Sequence, residues 1–240
     1  MTKIKIILPT WNESENIIEL FERIRKVMVP LYPDYEVILV DDNSPDRTAE
    51  LAMKYGEKYN HIRVIERSHK KGYGSALRDG IKYAIEDQNT LCLITMDADI
   101  THQPEDIPKL IKVAKNVDVV QGSKYVKGGL IKGWSLYRWL ISLAANFLIR
   151  TLFLTGMKDH TTNFRVFSVK AAHLIANKTR SSGYEWLIEA LLLLKGHQFK
   201  IAEVPISFIN RKKGKSKLKI VDVIKWFKLV MRLRFGKKYD

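Results

Sequence analysis

The sequence predicts an α/β fold with a mainly parallel, doubly wound central sheet and amphipathic helices appended to it. Two observations carry this. Over the first hundred residues, short apolar runs alternate with segments of helical period, the pattern of strands joined by right-handed crossovers. Three of those strands also end in polar clusters: Pro9-Thr10-Trp11-Asn12-Glu13, Asp41-Asp42 and Asp97-Ala98-Asp99. They share the carboxyl edge, where such sheets bind ligands. A chain of 240 residues, 46% of them hydrophobic, can bury one core of this size.

Taken in order, residues 3–9 read as a buried strand, and 12–27 as a helix with Ile17, Leu20, Ile24 and Val27 on one side. Residues 36–40 are a second strand, 46–59 a helix and 61–66 a third strand. Gly72 and Gly74 open a helix over 75–86, followed by a fourth strand at 91–96. A further strand is expected at 117–121, then a loop punctuated by Gly128, Gly129 and Gly133. Residues 139–154 are almost continuously apolar, but with Arg150 inside they fall short of the ~20 residues that cross a bilayer. Residues 200–208 read as a strand and 211–217 as a flexible basic loop. The segment 219–234 is an amphipathic helix, with Ile220, Val223, Ile224, Phe227 and Val230 opposed by Lys219, Lys225, Lys228 and Arg232. The expected division is a main domain over 1–217, with interface helices inside it at 134–156, and a basic helix and tail over 218–240.

Forty-one Lys and Arg against 26 Asp and Glu give a net charge of +15, which suits nucleic acid, membranes or phosphate-bearing ligands. Placement narrows the choice. From Arg211 to Asp240 there are twelve Lys and Arg and two Asp, so +10 lies in the last thirty residues. There the cations alternate with a coherent apolar face, and the acidic clusters elsewhere repel phosphates unless a metal intervenes. Both features favour a membrane surface and no nucleic acid; a basic nucleic-acid-binding module is the alternative from another class. Cys92 is the single cysteine, in the apolar run Leu91-Cys92-Leu93-Ile94, which excludes a disulfide framework and reads as core in a reducing compartment. The opening MTKIKIILP is too short for a signal peptide.

Asp97-Ala98-Asp99 is the sharpest motif. Two carboxylates just past a buried strand can hold a hard divalent cation that neutralises a diphosphate; the alternative is a solvated turn. The Trp11 ring can cover a base or ribose and Glu13 can accept from their donors, although Asn12 also fits a helix N-cap and Glu13 a first-turn acid. Asp42 reads as a ribose or base ligand, or as the cap of the next helix. Gly72-Tyr73-Gly74 lacks the third glycine of a dinucleotide fingerprint, so it is a tight loop bringing Lys71 to a nucleotide, or a plain turn. His69, His102 and His160 lack metal-ligand spacing and read as solvated loop histidines.

The runs ILPTWNESENI, VILVDDNSPDRTAE, KGYGSALRDGI, MDADITHQPEDIP, GSKYVKGG, DHTTNFRVF and AEVPISFINRKKGKSKL resemble, in order and over about residues 4–230, the polyprenyl-phosphate sugar transferases of glycosyltransferase family 2. Within that family the likeness is greatest to the branch that moves mannose from GDP-mannose to dolichyl phosphate. The resemblance implies a GT-A fold, a single Rossmann-like domain, and a divalent cation, Mg2+ or Mn2+. It implies a donor site of Pro9, Trp11, Glu13, Val40, Asp42, Asp97, Ala98 and Asp99. Arg211, Ser216 and Lys217 would sit on a mobile loop closing over the diphosphate. Asp97, Asp99 and Thr101 would hold the metal, and Lys124 and Arg138 the lipid phosphate. Asp159, Asn163 and Arg165 match the acceptor-side pattern Asp-x-Thr-x-x-Phe-Arg. Trp11 stands where tyrosine is more usual, Thr101 where relatives carry Gln or Ser, and Lys124 where arginine is commoner, which keeps the charge but loses the bidentate fork.

The chemistry expected of such residues needs no strong base. Asp97, Asp99, Arg211 and Lys217 would serve a diphosphate leaving group, and an ionised phosphate monoester attacks the anomeric carbon directly, with inversion. The expected place is the cytoplasmic face of a membrane, held peripherally, with a membrane-spanning partner subunit left open. Nothing in the residues selects the base or the hexose, so a polyprenyl-phosphate transferase using UDP-glucose or UDP-N-acetylglucosamine is the alternative of the same fold.

Overall fold

In the computed structural model, which describes residues 3–211 and 220–235, the apolar run β1 (Lys3–Thr10) lies mid-sheet. Ile4, Ile6 and Leu8 bury one face and Ile7 the other. β1 pairs in parallel with β2 (Tyr35–Asp41), and β2 with the edge strand β3 (Ile62–Glu66). On its other side β1 pairs in parallel with β4 (Thr90–Thr95). Beyond β4, the sheet continues through β5 (Val119–Ser123), β7 (Arg165–Ser168) and β8 (Ile201–Pro205), giving the order β3-β2-β1-β4-β7-β5-β8. Only β7 runs antiparallel to its neighbours.

Helices cover both faces. On one lie α1 (Ile17–Leu31), α2 (Thr48–Tyr59) and α4 (Ile107–Ala114), whose Leu20, Ile24, Ala52 and Leu110 share a core with Ile6 and Leu39. On the other lie α3 (Tyr73–Glu86), α6 (Val169–Lys178) and α7 (Trp186–Gly196), packed through Leu77, Ile175 and Trp186 against Ile7 and Leu93. Cys92 is buried, and burial pushes its thiol up to about 12, as a core cysteine requires.

Three local expectations change. The first helix starts at Ile17, not at residue 12, because Asn12 is left-handed (φ 55°) and Asn16 takes the preceding position, its N–H bonded to the Glu13 carbonyl at 2.9 Å. The glycine-punctuated loop contains a short strand, β6 (Leu130–Lys132), paired with β9 (Ser207–Ile209). The single strand expected over 200–208 is therefore two. The break falls at Ile206, whose N–H still reaches Ser123 O (3.1 Å) while its carbonyl turns to the Leu130 N–H (3.0 Å). The elements α4, β7, α6 and α7 were not anticipated.

The apolar segment after β6 forms α5 (Leu136–Phe153), capped by the Ser135 hydroxyl, which accepts the Arg138 N–H at 3.3 Å. The C-terminal helix α8 (Ile220–Phe235) packs beside it, with Ile149 of α5 and Val230 of α8 meeting Ile188 of α7 in a small core. This splits the expected stripe. Val230 is fully buried, whereas Val223, Ile224 and Phe227 are exposed, as are Leu136, Tyr137, Leu140 and Phe147 of α5. No helix among the described residues is long and apolar enough to cross a membrane.

Gly74 shows why the start of α3 has its sequence. Its N–H donates to Ser182 O (2.8 Å), and a Cβ there would lie 2.4 Å from Trp186 Cβ and 2.7 Å from Gly183 O. Close approach to the turn before α7, beyond any turn requirement, demands glycine. Gly74→Ala is expected to destabilise the fold by ~1–3 kcal/mol through overpacking, seen as a lower urea midpoint with unchanged slope.

Candidate active site

The carboxyl edge opens into a cleft of about 560 Å³. Its walls come from the ends of β1, β2 and β4, the loop before α3, the turn before α7, Arg211 after β9, and the first turns of α8. Pro9, Trp11, Glu13, Asp42, Lys71, Asp97, Ala98, Asp99 and Arg211 all line it, drawn together from distant parts of the chain.

At the floor, Asp97 Oδ1 accepts from Asn163 Nδ2 (3.2 Å) and from the Tyr73 hydroxyl. Burial, reinforced by the Asp97 charge, holds the Tyr73 pKa well above normal, so the phenol keeps its proton and donates. Tyr73 is stacked on Tyr184 at 4.6 Å. Asp99 Oδ1 accepts from the Thr101 amide (3.1 Å) and hydroxyl (2.6 Å), and Asp99 Oδ2 meets the Arg211 guanidinium at 2.6 Å. Between Asp99 and Thr101, Ile100 takes φ 60°, a left-handed conformation that costs a β-branched residue ~1–3 kcal/mol. Behind the turn, the Asp97 N–H donates to His102 Nδ1 at 3.1 Å.

The wall formed by the first two loops and the loop before α3 is equally cross-linked. Arg67 is buried and paired with Asp42, reaches Asp79 at 3.2 Å, and donates to the Gly72 carbonyl at 3.0 Å. Asp42 also accepts the Lys71 and Gly72 amides (3.2 and 3.0 Å), so one carboxylate shapes the loop before α3. Glu13 accepts from Asn16 Nδ2 at 2.7 Å, and its N–H donates to Thr48 Oγ1 at 2.9 Å, tying the first loop to the second. The Lys70 ammonium lies 4.0 Å over the Trp11 ring.

Other expected residues fall outside the cleft lining. Val40 is fully buried beneath it, its carbonyl accepting from Thr10 Oγ1, and Thr101 is buried behind Asp99. Lys124 and Asp159 form a buried ion pair at 2.8 Å, with Lys124 Nζ also donating to Thr162 Oγ1 at 2.8 Å. Burial alone would raise the Asp159 carboxyl, but Lys124 and the hydrogen bonds hold it below the usual range. Arg138 stacks over Trp134 at 4.3 Å and donates to Asn210 Oδ1 at 2.9 Å; burial, then the nearby Arg211 charge, lowers its pKa. Arg165 is fully buried and donates to the carbonyls of Thr162, Leu187 and His160, so it frames the loop between α5 and β7. Ser216 and Lys217 lie outside the described residues.

The reading of His102 and His160 as solvated is corrected: both are fully buried. His160 is bound by Thr155 Oγ1 on Nε2 (2.7 Å) and by Asn146 Oδ1 (3.2 Å to Nδ1). Tyr73, Tyr184 and the α8 residues Asp222 and Lys225 were not anticipated in the cleft, nor was Arg67 buried behind Asp42. Tyr73 alone had a signal, its place between two close-packed glycines.

With this geometry in view, comparison with known proteins defines the class. Residues 5–175 match the family model described as Glycosyl transferase family 2. The chain belongs to that family and is a glycosyltransferase. It is 39% identical, over 234 residues, to a dolichol-phosphate mannosyltransferase of Pyrococcus furiosus, matching 96% of this chain but spanning only 63% of that relative's length. It is 30% identical to an undecaprenyl-phosphate mannosyltransferase of Micrococcus luteus, over 93% of each. Glucosyl-3-phosphoglycerate synthase of Mycobacterium tuberculosis, solved with Mn2+, UDP and phosphoglyceric acid, aligns with a TM-score of 0.71 over 100% of this chain and 80% of its own, at 20% identity. That likeness establishes the GT-A type of fold.

Burial lowers the His160 pKa to about 4. The unfolded imidazole takes its proton near pH 6.5, so the unfolded state binds more protons between there and pH 4, and stability falls as pH drops through that window. The expected loss is about 3 kcal/mol from this group. Denaturant titrations at pH 7 and pH 4.5 should show it, and His160→Gln should reduce the difference.

Proposed function

We propose that this chain transfers mannose from GDP-mannose to dolichyl or another polyprenyl phosphate, with inversion, at a membrane surface. The observation that carries the reading is that Val221, Asp222 and Lys225 of α8 line the cleft that holds Asp97 and Asp99, while Val223, Ile224 and Phe227 of the same helix are exposed. An apolar surface thus borders the reaction site, as a lipid-borne acceptor requires. Mannose is supported by the two mannosyltransferase relatives. The guanosine base is supported by the resemblance of the donor motifs.

The carboxylate pair fits a divalent cation, Mg2+ or Mn2+, because both side chains present oxygen to the cleft and Asp99 already holds a positive group at 2.6 Å. Among the described residues no group of three or more His, Cys, Asp or Glu is assembled for a metal. Asp97 and Asp99 would hold the ion together with substrate phosphates, with Thr101 bracing Asp99. Bound there, it would neutralise the departing diphosphate.

The chain's own residues do the rest. Trp11 offers a stacking face for base or ribose, Glu13 and Asp42 offer acceptors, and Pro9, Val40, Ala98 and Lys71 shape the pocket around them. Arg211, with Ser216 and Lys217 after it, covers the diphosphate. Arg138 takes the acceptor phosphate, backed by the pair of Lys124 and Asp159; Asn163 fixes Asp97, and Arg165 fixes the loop that carries Asn163. The phosphate is already ionised, so no residue need remove a proton. In this reading attachment is peripheral, with α5 and α8 in the interface and cations toward headgroups, and an anionic cytoplasmic leaflet is the surface that suits those cations.

The identifying experiment is transfer from a panel of labelled nucleotide sugars, UDP-glucose and UDP-N-acetylglucosamine among them, to polyprenyl phosphate. GDP-mannose should be preferred; a preference for a uridine donor would overturn the base assignment. Asp97→Ala and Asp99→Ala should each lower kcat by ~100-fold or more with folding retained, and turnover by either in the presence of chelator would refute the metal assignment. For the membrane, Phe227→Glu should weaken flotation with anionic liposomes at high and low salt. Unchanged flotation, or displacement of liposomes by duplex DNA, would remove the interface reading.

A further inference from the structure

His102 has no part in the reading above, yet it stands directly behind its central carboxylates. The imidazole is fully buried, stacked on Phe164 (centroids 5.3 Å apart) and met edge-on by Phe208 (5.4 Å). Its backbone bridges to Phe208, and the Ile209 N–H donates to the Thr101 carbonyl at 3.0 Å. Arg211, two residues further on, pairs with Asp99. The ring therefore sits between the carboxylate turn and the strand that delivers its counter-charge.

The hydrogen bonding shows what an imidazole is needed for. Met96 is the last residue after β4 whose N–H reaches the sheet, donating to the Ile7 carbonyl at 3.2 Å. The next amide, that of Asp97, donates to His102 Nδ1 at 3.1 Å. A nitrogen that accepts an N–H carries no proton, so the proton lies on Nε2, and Nε2 has no hydrogen-bond partner among the described residues. For stability alone the slot between two phenylalanines would take an apolar ring and avoid a buried, unsatisfied donor. Only the acceptor at Nδ1 distinguishes histidine from phenylalanine here.

We propose that His102 is a positioning residue: by accepting the Asp97 amide hydrogen it sets the orientation of Asp97-Ala98-Asp99 and their register with Arg211. Without that acceptor the Asp97 peptide must turn to find another partner, moving both carboxylates off their lines to Tyr73, Asn163 and Arg211. The inference rests on Asp97 and Asp99 being the donor-site carboxylates, and its test separates the two.

The variants are His102→Phe, which keeps the ring and deletes the acceptor, and His102→Asn, whose Oδ1 falls near the place of Nδ1. Thermal unfolding, kcat, KM for each substrate, and calorimetric binding of Mn2+ with GDP are measured on the full chain. His102→Phe should melt within a few degrees of the parent, lower kcat by ~100-fold and weaken Mn2+–GDP binding, with KM for polyprenyl phosphate little changed. His102→Asn should recover at least ~10-fold of that loss. A Phe variant as active as the parent, or an Asn variant no better than Phe, overturns the proposal. Should either variant not fold, 15N resonances of histidine in the parent decide: an unprotonated Nδ1 coupled to the Asp97 amide supports it, and a protonated Nδ1 overturns it. If the parent transfers no mannose, the functional reading fails while the nitrogen resonances still test the role of His102.

Discussion

Two carboxylates one residue apart at the end of a buried strand repel each other, and the cleft is organised around holding Asp97 and Asp99 in spite of that repulsion. Each receives its own donors: Tyr73 and Asn163 on Asp97, Thr101 and Arg211 on Asp99. These four residues come from α3, the segment before β7, the turn itself and the end of β9. The sheet order follows from this need. Inserting β7 antiparallel between β4 and β5 brings Asn163, at its entrance, beside the end of β4, since Thr95 pairs with Arg165 and its hydroxyl donates to the Asn163 carbonyl at 2.7 Å.

The same economy of charge shapes the wall built on Asp42. A buried Arg67 would be costly without partners, and Asp42, Asp79, Ser75 and the Gly72 carbonyl together surround it. The result is a loop whose two amides both point at Asp42, with Lys70 and Lys71 lining the cleft. Cross-linking at this wall contrasts with the surface of α8, which touches the small core through Trp226 and Val230 but leaves much of its length exposed. A cross-linked cleft wall beside an exposed apolar rim is the arrangement that the proposed pairing of a soluble donor with a lipid-held acceptor would need.

Asn146 ties α5 to the loop before β7. It is buried in the otherwise largely exposed α5, and its Oδ1 accepts the His160 amide at 2.7 Å. The adjoining Asp159 accepts the amides of Thr161 and Thr162 and holds Lys124. Breaking the pair of Lys124 and Asp159 would leave one buried charge unmatched, a cost of about 3–5 kcal/mol. Apart from Phe164, which enters the core, the loop between α5 and β7 is anchored largely on polar contacts, which is why its residues resemble site residues in the sequence even where, as with the neighbouring Arg165, they face backbone carbonyls.

The apolar runs of β1, β2 and β4 by themselves determined a parallel sheet, and the polar residues that end them marked the edge where the cleft opens, because strand period and the exclusion of charge from a core are local rules. The paired carboxylates and the basic, amphipathic character of 219–234 were legible for the same reason. Strand order was not, since β7 is four residues long and opens on a buried arginine that no hydropathy pattern marks as core. Neither was the partition of the α8 stripe between the core and the surface: a helical period shows which residues share a face, and only the packing of α5 and α7 against it decides which part of that face is covered. His102 is the sharpest case. A lone histidine in a polar loop carries no sign of burial, and only tertiary contacts between the 97–102 turn, Phe164 and Phe208 turn its ring inward, where the Asp97 amide needs an acceptor.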